Sequence, residues 1–453
     1  MHTTPRRLID ELKKKTVTPR EAARAVKSGN RIFYGEFALF PEAVDEALGE
    51  RIHELENVDI RSVSFTRPPR PVMMDPERRH VVLNDWHFGK VSRTLHEKNL
   101  CNYIPITYHQ GPRICRKYLD IDVSIITAAP MDKNGYFNFG LANSVTGAHL
   151  SKSKTIIVET NENVPYCLGG NYESIHISEV DHVAEGRNGP LVEIPPAEPR
   201  GADREIAGHI MREIEDGATL QLGIGGLPNT IGRLIAESDL KDLGIHTEML
   251  VDSCVDLYES GRITGRNKSV DRFKMAYTFA LGTRKLYDFI HMNPTCASYP
   301  VNYVNDPRII AFNPKVVAIN NALEIDLFSQ VCSESAGTRQ ISGTGGQLDF
   351  IFGAFQSRGG KGIISLSSTR TDSAGAVHSR IVPSMSPGSI ITVPRSIVQY
   401  VATEYGIVQL KGCSTWERAE KLIGIAHPDF RDELIRQADE MKIWVRSNRK
   451  DSL

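Results

Sequence analysis

Four near-continuous runs of mostly β-branched residues place the strongest limit on how this chain folds. They are Ile121-Asp122-Val123-Ser124-Ile125-Ile126, Thr155-Ile156-Ile157-Val158-Glu159, Val316-Val317-Ala318-Ile319 and Gly362-Ile363-Ile364-Ser365-Leu366. A strand with one face in water alternates apolar and polar side chains, whereas a run without that alternation needs cover on both faces. Helical patterns lie elsewhere along the chain, among them PEAVDEAL at 41–48 and ADREIAGHIMREIE at 202–215. The combination predicts an α/β chain with mostly parallel sheets. At 453 residues the chain well exceeds the usual domain length, so a single core is not expected.

The clearest boundary is Ile194-Pro195-Pro196-Ala197-Glu198-Pro199-Arg200-Gly201, a Pro-rich segment directly before a helical pattern. It divides the chain into a first domain over 1–198 and a second over 199–453, each of a plausible domain size. The two halves open alike. A helix over 19–27, then Ser28-Gly29, leads into a strand at 31–34. A helix over 202–215, then Asp216-Gly217, leads into a strand at 218–222. This repeated order predicts two related domains that face each other, with a site between them.

Charge and cysteine usage narrow the function. Lys and Arg number 54 against 55 Asp and Glu, a net charge of −1. A nucleic-acid binder working by bulk charge needs a basic excess, so none is expected, although a local basic pocket for a phosphorylated ligand remains compatible. No stretch approaches the length of apolar residues that spans a membrane. The first twenty residues carry charge and no apolar core, unlike a secretory signal, so a cytoplasmic location is expected. Cys101, Cys115, Cys167, Cys254, Cys296, Cys332 and Cys413 are scattered without a CxxC pair, and no HxxxH occurs. Reduced thiols and no bound metal are expected.

Three segments carry candidate chemistry. Leu220-Gln221-Leu222-Gly223-Ile224-Gly225-Gly226-Leu227-Pro228-Asn229 joins a strand to a helix starting near Pro228. It is either a phosphate-binding turn at a helix N-terminus or a tight structural connection. It matches no P-loop and lacks the acidic residue of a dinucleotide site. In Gly244-Ile245-His246-Thr247-Glu248-Met249-Leu250 a carboxylate interrupts an apolar strand, either as a nucleophile or base or as an edge residue satisfied by solvent. Ser342-Gly343-Thr344-Gly345-Gly346-Gln347 is rich in free backbone N–H groups, fit to stabilise an oxyanion or merely to turn the chain. A fourth segment, Met131-Asp132-Lys133-Asn134-Gly135-Tyr136, reads as a turn.

Taken in order, the chain resembles the acetyl-CoA hydrolase/transferase group of the family I CoA-transferases, most nearly the 4-hydroxybutyrate and butyryl-CoA:acetate CoA-transferases. The likeness is carried by Met131-Asp132-Lys133-Asn134-Gly135-Tyr136-Phe137, Gly223-Ile224-Gly225-Gly226-Leu227-Pro228-Asn229, His246-Thr247-Glu248-Met249, Ile319-Asn320-Asn321-Ala322-Leu323-Glu324-Ile325-Asp326, Gly343-Thr344-Gly345-Gly346-Gln347-Leu348-Asp349-Phe350, Ser379-Arg380-Ile381-Val382-Pro383, Thr403-Glu404-Tyr405-Gly406 and His427-Pro428-Asp429-Phe430-Arg431. It implies two NagB/RpiA/CoA-transferase-like domains, the first on the acyl and carboxylate side, the second carrying the catalytic Glu and the CoA site. It implies that Glu248 is the nucleophile and passes through a glutamyl-CoA thioester, with the Gly346 N–H in the oxyanion hole. The family's CoA contacts fall on Gly225, Gly226, Leu227, Pro228, Asn229, Leu323 and Gly346, and Asn305 matches a position near the thioester. Acyl-CoA and small carboxylates are the implied substrates, with no permanently bound cofactor, and a homodimer or higher homo-oligomer is implied. The family's Lys-Gly-Gly is replaced here by Ser367-Ser368-Thr369-Arg370-Thr371-Asp372-Ser373-Ala374-Gly375, which makes Arg370 the candidate for a CoA phosphate. The turn Tyr34-Gly35-Glu36-Phe37-Ala38-Leu39-Phe40-Pro41 is bulkier than the family's small-residue turn. Hydrolysis of acyl-CoA on the same scaffold and non-catalytic CoA binding are the competing readings.

Overall fold

A computed structural model describes residues 4–443. An eight-stranded sheet occupies the first half. Its spatial order is Thr16–Val17, His182–Glu185, Ser153–Thr160, Ile121–Ala128, Arg31–Phe37, Val58–Phe65, Val81–Asp85 and Asn102–Tyr103, and every neighbouring pair is parallel. The second half holds a six-stranded sheet in the order Gly244–Ile245, Thr219–Gln221, Val316–Asn321, Lys361–Ser365, Tyr400–Thr403 and Gly406–Gln409. Only its last pair is antiparallel, as a hairpin edge allows. The α/β expectation holds.

The apolar runs lie in both sheets for the reason their pattern gives. In Ile121–Ala128, Val123 and Ile125 enter one apolar cluster while Ile126 and Ala128 enter another. In Val316–Asn321, Val317 and Ile319 join one cluster while Val316 and Ala318 join a different one. Successive side chains point to opposite faces, so a strand without alternation feeds two cores at once.

Neither main sheet crosses residues 186–200, which form no helix or strand. The start of that segment is bonded to the first half, with Gly186 N donating to Thr160 O at 2.9 Å, and its later part lies on the second. Ile194 N donates to Gly282 O at 2.9 Å and the Tyr287 hydroxyl donates to Val192 O at 2.7 Å. The halves are nonetheless joined through one apolar cluster that includes Phe33, Phe37 and Trp86 from the first and Leu222, Leu250 and Phe279 from the second. The Phe37 and Phe279 rings stack at 3.8 Å and 7° across this contact.

Two helices are shorter than the sequence pattern extends, whereas the pattern at 41–48 yields Glu42–Glu50. The pattern at 19–27 yields Pro19–Ala23, opened by a Thr18–Glu21 capping box, and that at 202–215 yields Asp203–Met211. The Met131–Tyr136 turn forms as expected, with Asp132 Oδ1 accepting from Asn134 N at 2.8 Å and Tyr136 N at 2.9 Å. Ile125, fully buried in the middle of the first sheet, tests this core. Ile125→Ala should lose about 2–5 kcal/mol of stability, read as a lower denaturant midpoint by circular dichroism, and a midpoint unchanged from the parent would contradict the two-faced burial.

Candidate active site

The carboxyl ends of strands from both sheets point at one cavity of about 650 Å³. The first half contributes Phe37, 63–66 and 86–91, which end or follow Arg31–Phe37, Val58–Phe65 and Val81–Asp85. The second half contributes Gln221–Ile224 after Thr219–Gln221, Asn320 and Asn321 at the end of Val316–Asn321, and Ser342–Gln347. Ligands of open parallel sheets bind at this edge, because there the strands end and the connections diverge.

Glu248 stands on this wall, half-buried. It lies outside a regular strand: Gly244–Ile245 pairs into the main sheet, Met249–Leu250 pairs instead with Phe279–Ala280, and Glu248 sits in the crossing between them. The crossing is tightly held. Thr247 Oγ1 donates to Leu222 O at 3.1 Å, His246 Nε2 donates to Val304 O at 2.8 Å, and Glu248 O accepts from Thr278 N at 3.0 Å.

Two donors meet the Glu248 carboxylate. Asn305 Nδ2 donates to Oε2 at 2.6 Å, and the Gly346 N–H donates as well. Desolvation pushes the carboxyl up to about 7; the Asn305 and Gly346 bonds oppose that rise, and nearby Asp349 adds to it. A nucleophile or base with such a value is half-ionised near neutral pH. Asn305 is placed by the junction of Val301–Val304 with Pro307–Phe312, where Asp306 caps the second helix on Arg308 N.

The glycines of the 342–347 turn have separate steric reasons. A Cβ on Gly346 would overlap Glu248 Oε2 and Asn305 Nδ2, so only glycine lets this N–H reach the carboxylate. Gly345 takes a left-handed φ of 51°. A Cβ on Gly343 would stand 2.9 Å from Trp86 O, so the turn lies directly against the first half.

His87 in that contact is pushed down to about 4 by burial and the Arg93 charge, so it is neutral, and Ser342 Oγ lies 3.2 Å from its Nε2. Asn320 Nδ2 donates to Gln221 Oε1 at 2.8 Å and Gln347 Nε2 to Asn321 O at 3.0 Å, which ties the second-half wall together.

The structure brings together Glu248, Gly346 and Asn305. The two Gly-rich turns share the cavity through Gly223 and Ile224 on one side and Gly343 to Gly346 on the other. Gly225, Gly226, Leu227, Pro228 and Asn229 do not line it. Leu227 and Pro228 are buried in the first turn of the helix Gly226–Glu237, Asn229 Nδ2 donates to Ala197 O at 3.1 Å, and a Cβ on Gly226 would strike Asp203 and Glu198. The 197–203 segment thus covers this helix start. Leu323 also lies off the cavity wall, its N–H donating to Cys332 O at 2.9 Å. Arg370 is exposed on the hairpin Thr369–Thr371 and Val377–Ser379, away from the cavity, because the chain turns outward after Lys361–Ser365. Trp86, His87, Tyr108 and His109 were not singled out in the sequence; Trp86-His87-Phe88-Gly89 between a strand and a helix is the signal that marks the first pair. Among the described residues no cluster of His, Cys, Asp and Glu is fit to hold a metal, and no helix is long and apolar enough to cross a membrane.

Residues 3–193 match the acetyl-CoA hydrolase/transferase N-terminal domain family and residues 282–438 the corresponding C-terminal domain family. The chain is 48% identical to the butyryl-CoA:acetate CoA-transferase of Anaerostipes caccae over 442 residues, 97% of this chain and 99% of that protein. It is 37% identical to the 4-hydroxybutyrate coenzyme A transferase of Clostridium kluyveri over 426 residues, 94% and 97% of the two. The crystal structure of RipA from Yersinia pestis superposes with a TM-score of 0.87 at 35% identity, covering 96% of this chain and 99% of that one.

Infrared difference spectra between the parent and Glu248→Ala test the electrostatics. The protonated carboxyl band of Glu248 should grow in as pH falls through about 7. A band that appears only near about 4, where an ordinary Glu titrates, contradicts the desolvated site.

Proposed function

The chain belongs to the acetyl-CoA hydrolase/transferase family and is a CoA-transferase; from that premise we propose that it moves CoA between short-chain acids through a glutamyl-CoA thioester on Glu248. The observation that carries this reading is the half-buried carboxylate with two converging N–H donors in the cavity between the two halves.

The Glu248 carboxylate attacks the thioester carbonyl of an acyl-CoA such as butyryl- or 4-hydroxybutyryl-CoA. The carbon–sulfur bond breaks, CoA leaves as thiolate, and Glu248 holds the acyl group as a mixed anhydride. The thiolate then attacks the Glu248 carbonyl carbon, which releases the free acid and leaves glutamyl-CoA. An incoming carboxylate such as acetate reverses both steps. A carboxylate nucleophile keeps the thioester energy in an acyl bond throughout. Each step passes through a tetrahedral oxyanion, and the N–H donors of Gly346 and Asn305 are placed to stabilise it.

The division of labour follows the sheets. The first domain, 1–198, closes the acyl end with Phe37, Val63, Phe65 and Trp86, and the second, 199–453, supplies Glu248, Gly346 and Asn305. CoA enters along Gln221 to Ile224 and Asn320 to Asn321. Gly225, Gly226, Asn229 and Leu323, which are half-buried, and the exposed Arg370 serve the parts of CoA outside the cavity, whereas Leu227 and Pro228 are buried and support the helix start. We also propose a cytoplasmic homodimer with no resident cofactor.

Incubation with butyryl-CoA tests the reading. With acetate present, acetyl-CoA should appear, and borohydride should trap a modified peptide at Glu248. Release of free CoA whether or not acetate is present would favour the hydrolase reading instead. Glu248→Ala should lower transfer by several orders of magnitude, and near-normal turnover would move the nucleophile elsewhere. Alanine is the cleaner change, because the amide of Glu248→Gln would set an N–H against donors that already point at this site.

Phe37→Ala removes half of the ring stack at the acyl end. The ratio of kcat/KM for hexanoyl-CoA over butyryl-CoA should rise by about tenfold or more, the range a hydrophobic pocket gives per methylene. An unchanged ratio would place the acyl chain elsewhere.

A further inference from the structure

Asn305 is fully buried, yet only one side of its amide is satisfied. Its Nδ2 donates to Glu248 Oε2 at 2.6 Å, and its side chain also hydrogen-bonds Asp349. Its Oδ1 has no partner. A side-chain amide nitrogen carries two hydrogens, and ionised carboxylates only accept. Both carboxylates therefore draw on the nitrogen end of one amide, and its oxygen is left alone. The reversed amide would turn Oδ1 toward two carboxylates and withdraw the donor from Glu248.

Asp349 carries a burden of its own. It is buried, in the first turn of Gln347–Gln356, three residues beyond Gly346. It also bears like charge toward Glu248. What holds it there comes from the other half of the chain. His109 Nδ1 lies 2.7 Å from Asp349 Oδ1, and His109 N donates to Oδ2 at 3.1 Å. One residue earlier, Tyr108 N donates to Gly345 O at 3.3 Å. Asp306 and Arg308 also face His109 and oppose each other in charge.

Resting on the reading of Glu248 as nucleophile, we propose that the His109–Asp349 pair is a positioning device that fixes the Asn305 amide with its N–H toward Glu248. The orientation of the donor then depends on the docking of the two halves, since His109 and Asp349 stand 240 residues apart. Neither residue touches the reacting atoms; both act through Asn305.

Asp349→Asn replaces the acceptor with an amide whose own N–H suits the Asn305 oxygen, which frees Asn305 to turn over. It should lower kcat by about 10- to 100-fold, the range for removing a partner that orients a functional group, and leave KM for butyryl-CoA within about threefold. The deciding measurement is a double-mutant cycle. If Asp349 acts only through Asn305, Asn305→Ala/Asp349→Asn should be no slower than Asn305→Ala alone. A structural role would instead make the losses multiply, and that result overturns the proposal. The His109 arm stands if Asp349→Asn folds poorly. His109→Asn keeps an N–H near the position of Nδ1 and should retain most of the kcat, whereas His109→Ala should fall with Asp349→Asn at an unchanged melting temperature. Equal rates for His109→Asn and His109→Ala also overturn it. The parent enzyme and Glu248→Ala serve as controls. A parent that transfers CoA and an inert Glu248→Ala uphold the nucleophile, so an additive cycle then counts against the positioning device alone.

Discussion

The Glu248 carboxylate has given up part of its water, and the rest of the site is built around that loss. Desolvation and the charge of Asp349 raise its basicity, while Asn305 and the Gly346 N–H keep the ionised form accessible. With burial alone the group would remain protonated and unreactive; with donors alone it would be a weak nucleophile. The site holds it near neutrality because both act on the same two oxygens. The glycine at 346 is what makes this possible, since any side chain there would occupy the space of the carboxylate itself.

That arrangement exists only where the two halves meet. Glu248, Asn305 and Gly346 come from the second half, but the turn that presents Gly346 lies against Trp86 and His87 and is bonded through Tyr108 and His109. The apolar cluster shared by both sheets provides the contact that orders these polar links. Hydrophobic burial gives the docking its strength and no direction, and the hydrogen bonds give it register. A family of folds that opens ligand sites at strand carboxyl ends here uses two such edges to line one cavity.

Much of this was legible before any geometry. The four apolar runs marked strands covered on both faces, because failure of the two-residue alternation is a local property of sequence. Glu248 and the 342–347 turn stood out as short motifs, whereas the roles of Gly346 and Asn305 came only with the family resemblance. The cavity walls were harder. The Gly-rich stretch at 223–229 allowed either a helix terminus open to a ligand or a tight structural connection, and the Pro-rich 194–201 segment folds back on it through Ala197 and Glu198, a contact no local pattern records. Arg370 was the nearest cation along the chain, and a hairpin carries it outward. His109 was invisible for the opposite reason: its partner lies 240 residues away, and a single docking contact leaves no periodic trace.

The same cavity also bears on water. Phe37 at φ 51° and Ser64 at φ 61° both line it, in the left-handed region that ordinary side chains avoid. Such strain persists only where the surroundings over-determine it. At Phe37 the surroundings are the stacked ring of Phe279 from the other half, so the backbone conformation and the closure of the apolar end support each other. A glutamyl thioester survives to meet an incoming carboxylate only if water reaches it more slowly than the acid does. On the proposed reading, the bulky turn at 34–41 narrows the acyl end of the cavity. It sets the Phe37 ring in the cavity wall, and it does so with a residue whose position is fixed by the docking of the two halves.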